Sequence, residues 1–145
     1  MTNLPEVAVN TFSRSFNCSQ AVFSTFAPQF GMDEATALKL ASPFGAGLAR
    51  RGEVCGAVSG ALLTLGLARG AETPAGKDEI YRLSQEFMHR FEEKHATLLC
   101  RELIGCDIST PAGYQTATEK RVFVTICPAL VREAAEIVQA LLDAD

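Results

Sequence analysis

No long run of lysine or arginine appears in the 145 residues, and acidic residues outnumber basic ones, 17 against 13. At a net charge of −4 the chain lacks the basic surface that phosphate contacts require, which argues against nucleic acid as its main partner. It also lacks an apolar run long enough to cross a bilayer. The uncharged stretch Val54–Ala68 has 15 residues where roughly 20 are needed. Arg69 closes one end of it, and Arg50, Arg51 and Glu53 close the other. The opening "MTNLPEVAVNTF" has no basic segment leading into an apolar one, so no secretory signal is read and a cytoplasmic location is expected. In that compartment thiols stay reduced.

Several catalytic signatures are missing as well. There is no P-loop, no dinucleotide fingerprint and no Ser-His-Asp arrangement, so hydrolase and nucleotide-dependent chemistries find no support. The only histidines, His89 and His95, are six apart, which rules out the i, i+4 pair that ligates metal from one helix face. Both are expected to be exposed, with His95 able to approach the Cys100 end. No C-x-x-C occurs, which weighs against a thioredoxin-like site, and no short C-x(2–4)-C knuckle of the kind that holds structural zinc.

What the chain does have is helical periodicity and five cysteines. Hydrophobic residues make up 48%, enough for one domain of 1–145 with a real core. "NCSQAVFSTFAPQFG" offers Asn17 as an N-cap with Val22, Phe23 and Phe26 as its stripe, and Asp33 caps the next helix. "FGAGLARRG" reads as a basic, glycine-rich connector. Ile80, Leu83, Phe87, Phe91 and Leu98 define a long amphipathic helix, and "GCDISTPAGYQ" a loop. "RVFVTIC" is β-prone, and Pro128 then starts a last helix with Leu130, Ala134, Ile137 and Leu141 inward. The expectation is an all-α, single-domain bundle of about five helices. Their apolar faces could also build a homodimer.

The stretch "GEVCGAVSGALLTLGLARG" carries the chemistry. Gly52, Gly56 and Gly60 recur every fourth residue, opening a groove for another backbone or a compact inorganic group. Cys55 is expected in the first turn of this helix, where free amides and the dipole favour a thiolate; Arg50 and Arg51 would add to that field. Cys18 and Cys127 also fall at expected helix starts. Four thiols from separate helices suit an iron–sulfur cluster, with zinc as the alternative. Arg50, Arg51 and Arg101 could hold an anion nearby.

"CGAVSG", with "NCSQAVF" before it and "CRELIGCDI" and "CPALVREAAEI" after it, resembles the C_GCAxxG_C_C family of redox-active proteins over nearly the whole chain. The resemblance implies that Cys18, Cys55, Cys100 and Cys127 are the functional set and Cys106 an extra. A similar domain occurs in some cytochromes, but without a C-x-x-C-H motif no haem function carries over. The expected activity is redox chemistry at a site centred on Cys55, with Gly56 and Gly60 beside it. An iron–sulfur cluster would transfer electrons to a partner protein; a metal-free thiol–disulfide or sulfur-handling protein is the alternative, and a zinc-stabilised domain that binds a protein partner is another.

Overall fold

Asn3 caps the first helix by accepting the Glu6 amide at 3.1 Å, and Pro5 sits in the opening turn where its missing N–H is no loss. This helix, α1 (Leu4–Ser13), lies where the sequence suggested only a short leading stretch. The computed structural model describes residues 2–144, so the expected domain limits Met1 and Asp145 lie outside the described residues. Among those described, eight further α-helical segments follow: α2 (Cys18–Phe26), α3 (Glu34–Ala41), α4 (Gly56–Arg69), α5 (Lys77–His95), α6 (Cys100–Ile104), α7 (Pro111–Glu119), α8 (Val122–Thr125) and α9 (Cys127–Asp143).

The fold is all-α as expected, but five helices is too few. Besides α1, three short helices were missed. α6 breaks from α5 because Ala96 turns left-handed at φ +67 and ends that helix; Leu98 therefore packs from the connector, not the helix stripe. α7 replaces an expected loop: Thr110 accepts the Gly113 amide at 3.0 Å, and Pro111 opens the turn. α8 replaces the expected β-prone piece. Among the described residues its valines and threonine find no neighbouring strand, and one helical turn bonds them internally.

α4 is the central element. It packs against α2, α5 and α9, with Ala57, Val58, Ala61 and Leu65 fully buried. Its glycines explain the packing. A Cβ at Gly60 would lie 2.7 Å from the Ser19 carbonyl oxygen, and one at Gly56 would lie 3.1 Å from the Cys18 Cβ. The groove they open is therefore filled by α2, one backbone against another. Gly52 does not join them, since it precedes the helix at φ +69. From the far side α5 contributes Leu83, Phe87 and Phe91, and α9 its expected stripe of Leu130, Ala134, Ile137 and Leu141. No helix among the described residues is long and apolar enough to cross a membrane.

Candidate functional site

Four of the five cysteines stand at the start of a helix. Cys18 opens α2 behind a reciprocal cap, in which Asn17 accepts the Gln20 amide at 2.9 Å and the Gln20 side chain accepts the Asn17 amide at 3.0 Å. Cys55 is the N-cap of α4, one position before the expected first turn. Cys100 opens α6, and Cys127 opens α9 one residue ahead of the expected start at Pro128.

A short antiparallel bridge, Val54 to Leu99, brings two of these starts together. The Cys55 amide donates to the Leu98 carbonyl at 2.8 Å, and the Cys100 amide to the Glu53 carbonyl at 2.6 Å. Since side chains alternate along extended backbone, Cys55 and Cys100 share the face opposite Val54 and Leu99. On that face lies a cavity of about 380 Å³, lined by Cys18, Cys55, Cys100 and Cys127 together with Gly56. Phe12, Phe16, Ile104, Ile108, Phe123 and Leu130 supply apolar wall. Cys106 is equally buried but lies outside the lining, as does Gly60, which faces Ser19 and Val22.

The four thiols do not titrate alike. Burial pushes Cys55 up to about 11, although the amides of Ala57 and Val58 at its helix start pull the other way. The depressed thiol expected at Cys55 is therefore not there, because desolvation outweighs the helix start. Cys100 is pushed up to about 12, by burial first and then by the neighbouring Cys55 and Cys127 sulfurs. Cys18 and Cys127 behave as an unequal pair: the neighbouring Cys127 sulfur and then burial raise Cys18 well above its ordinary value, while Cys18 in turn lowers Cys127. Of the four, Cys127 is the sulfur that its surroundings favour losing a proton.

The cavity reaches solvent beside an unusual turn. Ala46, Gly47, Leu48, Ala49 and Arg50 are consecutive left-handed residues, with φ of +55, +70, +66, +51 and +66. A non-glycine residue pays about 1–2 kcal/mol for this conformation, so the surroundings must hold it. They do so through the Ala49 amide on the Pro43 carbonyl at 2.9 Å and the Glu53 amide on the Gly47 carbonyl at 2.8 Å. The turn delivers exposed Arg50 to the cavity edge, its guanidinium 4.6 Å from the centre of the Tyr114 ring. Of the other expected anion holders, Arg51 pairs with Glu53 at 3.8 Å and Arg101 donates to the Gly52 carbonyl at 3.3 Å.

Although four thiols line one cavity, no three or more His, Cys, Asp or Glu side chains among the described residues are gathered as a metal-holding group. His95 does not reach the thiols. It is largely buried rather than exposed, held against Glu133 and with its ring 4.6 Å from that of Phe91, and it fastens α5 to α9. His89 is exposed as expected and faces Glu93 at 2.8 Å. Sequence reasoning missed Tyr114 and the three phenylalanines of the cavity wall, Phe12, Phe16 and Phe123, the last meeting Tyr114 in a tilted ring contact at 5.6 Å. Recognising α1 and α7 as helices would have put Phe12 and Tyr114 within reach.

A family model described as "Putative redox-active protein (C_GCAxxG_C_C)" matches residues 16–141. No curated protein and no solved structure matches the chain.

Proposed function

This chain belongs to the C_GCAxxG_C_C redox-active family, and we propose that its chemistry is thiol–disulfide exchange carried by Cys18 and Cys127. The observation that carries this reading is that α2 and α9 pack together and bring Cys18 and Cys127 onto one cavity, where one is raised and the other lowered by its neighbour. Exchange needs an attacking thiolate and a resolving thiol within reach of it. Cys127 has the first role and Cys18 the second. The Cys127 thiolate attacks a disulfide on an oxidised partner, forming a mixed disulfide and releasing one thiolate. Cys18 then attacks the Cys127 sulfur, gives up its proton and displaces the second thiolate. The pair loses two electrons and the partner gains them. Cys55 and Cys100, held as thiols by burial, keep the cavity uncharged on that side.

A second reading is favoured by the convergence of four helix starts on one cavity. Cys18, Cys55, Cys100 and Cys127 form the tetrathiolate donor set that iron–sulfur clusters use, and zinc takes the same set. A cluster would supply one-electron transfer, and its binding would require the side chains to rotate from the arrangement described above.

The two readings separate in one preparation. Protein purified without oxygen is assayed for iron, sulfide and zinc, then treated with one equivalent of a small disulfide and digested for mass spectrometry. A metal-free protein yielding a Cys18–Cys127 linked peptide supports exchange. Visible bands with stoichiometric iron and sulfide, lost in Cys55→Ser, overturn it in favour of the cluster.

A further inference from the structure

The geometry points to the class of disulfide this site accepts: a low-molecular-mass organic disulfide with an anionic group, read by Arg50. The inference rests on the exchange reading above and deepens it. Among the described residues Arg50 is the only Lys, Arg, Asp or Glu lining the cavity, and no carboxylate pairs with it there. Its guanidinium lies over Tyr114, which fixes the plane of the group. A stacked guanidinium still presents N–H donors along its edge, the geometry that takes a carboxylate with two hydrogen bonds.

Position and size agree with this. Arg50 is exposed and the thiols are buried, so the charge marks the entrance and the reacting sulfur the floor. A volume of about 380 Å³ stands at the small end of ligand pockets and suits one half of a small disulfide. The walls between are apolar, suiting the carbon and sulfur body of such a molecule. Arg50 ends a run of five left-handed residues, and strain of this kind persists where surroundings dictate a position.

The reaction balances as follows. The Cys127 thiolate attacks one sulfur of R–S–S–R; a Cys127–S–S–R bond forms and R–S⁻ leaves. The Cys18 thiol passes its proton to that leaving thiolate and attacks the Cys127 sulfur, expelling the second R–S⁻. This thiolate takes from solvent the proton Cys127 had released. The sum is R–S–S–R plus two cysteine thiols giving one protein disulfide and two R–SH.

The test is single-turnover oxidation of the reduced full chain by dithiodipropionate, a dianion, and by cystamine, a dication of similar size. Formation of the Cys18–Cys127 linked peptide is followed in time. In Arg50→Gln the ratio of the two rates falls roughly tenfold, Arg50→Lys retains most of it, and added salt lowers it in the wild type. An unchanged ratio in Arg50→Gln, with the linked peptide still forming, overturns this inference alone. If neither probe gives the linked peptide at completion, the exchange reading fails and this inference with it.

Discussion

Raising the pH should cost this protein stability in a way that one substitution removes. The Cys55 thiol ionises near 9 ordinarily and at about 11 in the fold, because burial holds it neutral. Below 9 both folded and unfolded chains carry the proton, and the preference of the fold for the thiol is fully present. Between 9 and 11 the unfolded chain has lost the proton and the folded one retains it, so rising pH favours unfolding. Two pH units at about 1.4 kcal/mol each give a total of roughly 3 kcal/mol, of which roughly 2 kcal/mol is lost by about pH 10.5. Cys55→Ala has no such group. Urea denaturation of both proteins, reduced and at constant ionic strength, is compared at about pH 8 and 10.5. Lysines and tyrosines titrate alike in both and cancel in the difference. The stability gap between wild type and variant should close by roughly 2 kcal/mol. Relief of Cys100, which Cys55 helps to raise, works in the same direction. A gap that does not move with pH would refute the reasoning that Cys55 is a buried neutral thiol.

Three other outcomes are expected. Gly60→Ala, whose new Cβ meets the Ser19 oxygen at 2.7 Å, loses roughly 1–3 kcal/mol in urea melts. Gly66→Ala on the same helix, with nothing within 4 Å, gains about 1 kcal/mol; equal effects would refute the close approach of α2. Ala49→Gly raises the melting temperature or leaves it unchanged, since relief of about 1–2 kcal/mol of left-handed strain offsets glycine's unfolded-state entropy, whereas Ala49→Val lowers it. At about pH 8, iodoacetamide modifies Cys127 first, and peptide mapping shows the rate falling as pH drops through its lowered value. Cys18→Ala, by removing the neighbour that lowers Cys127, slows that reaction.

Three of the four cavity cysteines could be placed at helix starts from the sequence because each stands beside its own signal: Asn17 before Cys18, the glycines after Cys55, Pro128 after Cys127; Cys100 has none and read as part of one long helix. The central helix was legible as well, as small residues at four-residue spacing call for a close approach, which the sequence left open between a backbone and a compact inorganic group. What could not be read was the balance of two opposed effects at Cys55. A helix start lowers a thiol and burial raises it, and only the depth of the cavity decides between them. The entrance was equally hidden. Arg50 meets Tyr114 through a left-handed turn and a helix whose first residues, "PAGYQ", look like loop, and neither follows a hydrophobic period. Nor does any local pattern tell the buried Cys106 from Cys100, which opens α6 and lines the cavity.

Cys18 and Cys127 lie near opposite ends of the chain, so a bond between them would tie off a loop of roughly 100 residues. Loop-closure entropy assigns such a tether about 4.7 kcal/mol against the unfolded ensemble. By the same linkage, the folded chain favours closing the pair as strongly as closure favours the fold. Oxidation would then be recorded in the durability of the whole molecule, and resistance to heat or proteases would report on the cell's electron supply.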